Sequence, residues 1–294
     1  MKTTVRKDVY QVVTDSIVEA METRQVIPWQ KTWSSNTIAP MNYYSKHIYR
    51  GINALMCGIS PYNVPFFLTL KQVNILGGKV SKGAKSIPIV FWKAYYKDKD
   101  GNTIREKEAK QTGYASKALF PKYYRVFNIE DVENVTFDLP EVEIRSEGQV
   151  ISKAEKLIGS FPHPPIIDHQ QTFSPSYQPI TDLIKMPQAI QFDSSEEYYV
   201  TIFHELIHAT GHEKRLKRKG IMETSFFGSL TYSEEELIAE IGASFLASLS
   251  GIESSVFNNS VAYLQGWVQA FQNDKKMIIR AASQAKKAVE YITG

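Results

Sequence analysis

A chain of 294 residues, 43% of them hydrophobic, has material for one large domain or two ordinary ones. A single cysteine, Cys57, excludes a disulfide framework and a cysteine-rich zinc site; no stretch approaches a membrane span and the opening MKTTVRKDVYQVV lacks the apolar run of a signal peptide, so a cytoplasmic chain with no membrane association is expected. The net charge of +3 conceals an asymmetry, with 20 Lys/Arg against 12 Asp/Glu over 1–140, 14 against 19 over 141–294, and 16 against 4 over 31–127, which fits a polyanion-binding module beside a second unit, or a solvated lysine-rich surface.

Residues 5–24 read as an amphipathic helix with Val9, Val12, Val13, Ile17 and Met21 on its apolar side. The loop Pro28-Trp29-Gln30-Lys31-Thr32-Trp33 follows, then Met41-Asn42-Tyr43-Tyr44 and Tyr49-Arg50-Gly51. A short helix over Thr69–Leu76 ends at Gly77-Gly78. Ile87–Lys97 is rich in strand formers, Asp98–Asn102 signals a turn, and Tyr123–Ile129 is the expected partner strand. Flat aromatic rings stack on unpaired bases while lysine and arginine follow phosphates, so this half suits single-stranded nucleic acid. Most of Phe66, Phe67, Phe91 and Phe127 are assigned to the core. Trp29, Trp33, Tyr43, Tyr44 and Arg50 lie in polar, loop-like stretches and are the better contacts, with Lys71, Lys82, Lys85, Trp92 and Lys93 completing the candidate set.

The acidic stretch 138–150, with its Pro and Gly, is read as the boundary between a domain over 1–140 and one over 151–294. A short helix is expected over Ser152–Ser160, and a hairpin or extended pair over 174–177 and 182–187. Ser194, with Glu197 three residues on, caps the next helix. That helix carries His204-Glu205-Leu206-Ile207-His208, an H-E-x-x-H motif. Residues four apart share a helix face, so His204 and His208 can offer two imidazoles to one metal ion, with Glu205 placed to take a proton from its water. Zinc, or another divalent metal, suits the set. The basic run Lys214–Lys219 is read as a solvated helix end, with a second phosphate contact as the alternative. Ser233–Ser250 is a strong helix, and two more are expected over Val261–Thr293.

Two histidines leave a catalytic zinc one protein ligand short. Lys214 stands where the longer H-E-x-x-H-x-x-G-x-x-H pattern needs its third histidine, His212 points off the ligand face, and His163 and His169 are outsiders. A carboxylate from Ser233–Ser250 remains. Ser233 gives Glu236 a capping-box role, whereas Glu240 is flanked by Ala239, Gly242 and Ala243, small residues that let helices approach. Glu240 is therefore the expected metal ligand, with Glu236 a supporting group or the alternative ligand.

The combination resembles the ArdC/TraC-like antirestriction proteins of conjugative plasmids and related mobile elements. The resemblance rests on Ile27–Trp33, Tyr49–Asn53, Leu68–Gln72, Gly77–Val80, Val90–Lys93 and Arg125–Asn128 in the first half. In the second it rests on Asp182–Pro187, His204–His208 with Thr210-Gly211-His212, Arg215-Leu216 and Tyr232–Glu240. Glu240–Ala247 also looks like the E-x-x-A-N-x-F-A helix of a wider, gluzincin-like group whose glutamate binds zinc, with Ser244 and Leu246 at the Asn and Phe positions. The resemblance implies an α+β protein of two domains: an N-terminal α+β single-stranded-DNA-binding domain and a C-terminal, mainly helical, zincin-like metallopeptidase domain. It also implies a role in protecting incoming plasmid DNA from restriction. Three functions share these residues: a DNA-binding antirestriction protein with a metal site, a zinc protease acting on a DNA-associated or restriction protein, and a metal-stabilised DNA-binding module without turnover.

Overall fold

A computed structural model of the chain describes residues 8–24, 27–29, 38–140, 146–170, 174–223, 230–252 and 261–294. Trp33 lies outside the described residues. Helix α1 (Val9–Arg24) is followed by β1 (Met41–Asn42), α2 (Ile52–Gly58), β2 (Phe66–Thr69), α3 (Leu70–Ile75) and β3 (Lys79–Val80). Thr69 starts α3 with a reciprocal cap, its side chain accepting from the Gln72 amide while Gln72 Oε1 accepts from the Thr69 amide at 2.8 Å. Gly78 ends that turn where only hydrogen fits, since a Cβ would fall 2.5 Å from Val135.

Strand β4 (Ile87–Lys97) and β6 (Ser116–Asn128) form a long antiparallel pair from Ile87 opposite Val126 to Lys97 opposite Ser116. The connection between them holds β5 (Thr103–Ile104) and α4 (Glu106–Thr112). The β-branched and aromatic residues of β4 explain the strand, and its partner begins seven residues before Tyr123, the expected start. The sheet order is β1-β2-β6-β4-β5. A small ladder joins β3 to β7 (Val132–Glu133).

Helix α5 (Glu147–Gly159) opens on Ser146 with a Ser146–Gln149 capping box, inside the stretch read from sequence as a boundary. Strands β8 (Ile166–Gln170), β9 (Ser176–Gln178) and β10 (Leu183–Pro187) form a second sheet. There β10 is central, parallel to β8 and antiparallel to β9. Helix α6 (Ser195–Thr210) packs beside α8 (Leu230–Ser250), and α10 (Met277–Thr293) also packs on α8. The short α7 (Lys219–Met222) lies between α6 and α8 in the chain, and α9 (Val261–Asn273) packs against α1.

The two halves share their main core. Val13, Ile17, Met21, Ile27 and Trp29 from the N-terminal half join one buried cluster with Phe203, Leu206, Leu237, Trp267 and Phe271. Strand β2 divides its side chains by alternation: Phe67 enters that cluster, and Phe66 and Leu68 enter a smaller one with Val73 and Ile129. Among the described residues, no helix is long and apolar enough to cross a membrane.

Candidate metal centre and nucleic-acid face

Helix α6 starts where Ser194 Oγ accepts the Glu197 amide at 3.2 Å, and it stops at Gly211, whose amide bonds the His208 carbonyl at 2.8 Å. Its close approach to α8 depends on Gly242, where a Cβ would fall 2.6 Å from Ile207 Cδ1. That contact brings the ligand face of α6 against α8.

His204 Nε2 and His208 Nε2 lie 3.0 Å apart. Glu236 Oε2 is 3.5 Å from His204 Nε2, and Glu236 Oε1 is 3.6 Å from His208 Nε2. A tetrahedral ion with protein ligands at their usual bond lengths separates its donors by about 3.3 Å, so the three separations fit one ion. His204, His208 and Glu236 thus form a set that could hold a metal. Glu205 is buried beside them, and its charge acts on His204. Burial presses the His204 ring towards the neutral form, but Glu236, Glu205 and Glu240 together outweigh it and hold its pKa above the ordinary value.

Glu236 takes the place expected for Glu240. Helix α8 begins at Leu230, a turn before Ser233, so Ser233 is no N-cap and Glu236 has no capping-box role. Glu240 faces a different neighbour. Its Oε2 accepts from Trp29 Nε1 at 2.9 Å, and Tyr263 bonds the same carboxylate. Burial dominates these contacts and raises its pKa.

A layer behind His208 has no counterpart in the sequence motifs. His208 Nδ1 lies 3.2 Å from Glu235 Oε1. Arg218 grips the same carboxylate, Nη2 to Oε1 at 2.6 Å and Nε to Oε2 at 3.0 Å. Burial pushes the Glu235 carboxyl up, but His208 and Arg218 outweigh it and hold it below the usual range. The run Lys214–Lys219 is therefore not simply a solvated end. Arg218 is buried, and the Arg215 side chain is 1% exposed where it pairs with Asp182 at 2.7 Å. A buried arginine inside a basic run has no signature in a single sequence.

The predicted DNA contacts divide. Trp29 is 1% exposed, edge-on to Trp267 and Phe271, and its carbonyl accepts from Ser244 Oγ; it is a core residue and no stacking platform. Tyr43 is half-buried against Phe66 and Phe137, with Lys46 Nζ 4.0 Å from its ring centre, so its face is covered. Tyr44, Arg50, Lys71, Lys82, Lys85, Trp92 and Lys93 are exposed. Trp92 and Lys93 are neighbours on β4 and point to opposite faces.

Lys93 shares its face with aromatics that the sequence reading passed over. Phe91 is not core: it stacks on Tyr124 at 4.2 Å and 8°, and Tyr124 is 58% exposed. Phe120, opposite Lys93 and 54% exposed, meets the Tyr95 ring edge-on at 5.4 Å. Lys93 and Lys122 lie over the Tyr95 ring at 5.3 and 5.9 Å. Antiparallel register places Phe91, Lys93, Tyr95, Phe120, Lys122 and Tyr124 together. Periodicity finds this face only after the register is known.

Comparison with known proteins covers both halves. A family model described as a zincin-like metallopeptidase matches residues 153–284, and one described as the N-terminal domain of anti-restriction factor ArdC matches residues 7–127. The chain is 30% identical over 298 residues to DNA primase TraC of Escherichia coli, aligning 98% of this chain with 20% of that protein. A second Escherichia coli DNA primase TraC is 29% identical over 98% of this chain and 27% of its own length, so the chain spans between a fifth and a third of these relatives. A protein named y4eC from Sinorhizobium fredii (strain NBRC 101917 / NGR234) is 29% identical, over 97% of this chain and 91% of that protein. Two crystal structures of the antirestriction protein ArdC from plasmid R388 superpose with a TM-score of 0.72 over 97% of both chains. The metal-free form is 28% identical and the Mn(II)-bound form 30%.

Proposed function

The chain belongs to the ArdC-like antirestriction proteins with a zincin-like domain, and from that premise we propose that it binds single-stranded DNA through its N-terminal half and hydrolyses peptide bonds at a divalent-metal site in its C-terminal half. The convergence of His204 Nε2, His208 Nε2 and one Glu236 oxygen pair within 3.0–3.6 Å carries the proposal. Zinc fits the nitrogen and oxygen donors, and manganese fits them too; a Mn(II)-bound relative supports a divalent ion of either kind. When bound, the ion polarises a carbonyl and lowers the pKa of a water. His204 and His208 would each offer Nε2 to it, and Glu236 would supply a carboxylate. Glu205 receives the proton from the attacking water and returns it to the leaving amine.

A metal-stabilised module without turnover would need the three ligands but not Glu205. The buried Glu205 beside His204 favours the hydrolytic reading. On the other half, the exposed Phe120 and Tyr124 rings beside Lys93 and Lys122 support stacking on unpaired bases. The test is hydrolysis of an unfolded protein by the metal-loaded chain and by Glu205→Gln. The variant is expected to keep the metal and lose hydrolysis; equal hydrolysis would contradict the role given to Glu205.

A further inference from the structure

The two ring nitrogens of His208 face different partners. Nε2 faces His204 and Glu236, and Nδ1 faces Glu235 Oε1 at 3.2 Å. A neutral imidazole carries one proton, and a carboxylate only accepts. Glu235 Oε1 is within hydrogen-bond distance of Nδ1, whereas Glu236 Oε1, 3.6 Å from Nε2, is not; this favours the proton on Nδ1, with the Nε2 lone pair towards the cluster.

Glu235 is itself held. The Arg218 guanidinium engages both of its oxygens and also donates from Nη2 to the Ile207 carbonyl at 2.7 Å and from Nη1 to Thr210 Oγ1. One buried cation thus ties the last turn of α6, which carries His208, to the helix that carries Glu236. Two glycines make room: a Cβ at Gly220 would fall 2.7 Å from Glu235 Cβ, and one at Gly211 would fall 3.0 Å from Arg218 Nη2. A buried ion pair is a poor device for stability alone, because a packed apolar pair commonly does as well. Its geometry here serves orientation.

We propose that Glu235 and Arg218 are positioning residues of the metal centre. Glu235 holds His208 in the Nδ1–H tautomer, and Arg218 fixes Glu235 and the α6 terminus so that the His208 lone pair stays aimed at the ion. The proposal rests on the reading of His204, His208 and Glu236 as the ligand set. Outer partners of this kind commonly change metal affinity by about 10- to 100-fold.

The experiment uses the full chain, with two readouts. Nitrogen-15 NMR of the metal-free protein, with the His208 signal assigned by His208→Asn, reports which ring nitrogen carries the proton. Chelator competition with Zn(II) and Mn(II) gives affinities for wild type, Glu235→Gln, Arg218→Lys and the control Glu234→Gln, whose carboxylate pairs with Arg280 instead. Wild type is expected to show Nδ1–H at His208. Glu235→Gln is expected to lose about 10- to 100-fold in affinity, because its amide can turn a donor towards Nδ1. Arg218→Lys, which keeps the charge but loses the planar fork, is expected to lose less, and Glu234→Gln nothing. An Nε2–H proton in wild type, or unchanged affinity in Glu235→Gln, overturns the proposal alone. Wild type that binds neither ion overturns the ligand set and the proposal with it. Should Glu235→Gln fail to fold, the wild-type tautomer decides.

Discussion

Glu236 and Glu240 are one helical turn apart on α8, and what packs against each decides its role. Glu236 meets the two imidazoles, while Glu240 is engaged by the Trp29 indole and by Tyr263. Glu236→Ala is expected to abolish stoichiometric metal binding and Glu240→Gln to leave it in place, as measured by metal content after dialysis; the reverse pattern would restore Glu240 as the ligand. The shared face of His204 and His208, with Glu205 between them, was legible because it is set by spacing along one helix. The third ligand was not, because the group that occupies Glu240 comes from Trp29, far away in the chain, and because α8 begins before Ser233. Trp29 itself looked like a DNA contact since it sits in a polar stretch; burial in the shared core overrides that context. Trp29→Ala should destabilise the fold by about 3–5 kcal/mol in denaturant unfolding.

At the scale of elements, the β4–β6 pair converts a lysine-rich and aromatic-rich sequence into one face. Tyr124→Ala and Phe120→Ala are each expected to weaken single-stranded DNA binding by about 1–3 kcal/mol, with the unfolding midpoint little changed. Affinity should fall steeply with salt if Lys93, Lys122 and their neighbours contact phosphates. Equal affinity for duplex and single strand at one salt concentration would contradict the stacking account. Strand β4 and the helices α3, α6 and α10 were legible from propensity and period, whereas β8 and the extension of β6 back to Ser116 were not, since pairing partners rather than local composition create them.

The contact of Asp182 with Arg215 and Tyr177 gives a pH dependence. Burial pushes the Asp182 carboxyl up, but Arg215 and Tyr177 outweigh it and hold its pKa below the ordinary 3.8. A depressed folded value means that the contact stabilises the protein above about pH 4 and fades as pH falls through the lowered value. Asp182→Asn is expected to flatten the fall in stability below about pH 4; an unchanged acid limb in chemical unfolding at several pH values would contradict it.

The whole molecule has two domains by family and one main core by packing. Val13, Ile17 and Trp29 are buried with Phe203, Leu237 and Phe271, so fluorescence and circular dichroism should report one coincident unfolding transition. Separate transitions would show that the halves are energetically independent. The shared core also sets the N-terminal half directly behind the metal centre, through the bond from Trp29 to Glu240. The charge asymmetry of the sequence separates the two halves, but it carries no sign that they share one main core.

Hydrolysis at Glu205, as proposed, would underlie the protection of DNA from restriction. The most direct measurement compares wild type and Glu205→Gln in cells carrying a restriction system, with the metal content and single-stranded DNA affinity of both proteins determined in parallel. The account predicts loss of protection in Glu205→Gln with metal and DNA binding retained. Full protection by that variant would contradict it and would place the protective function in the aromatic and basic face of the N-terminal half.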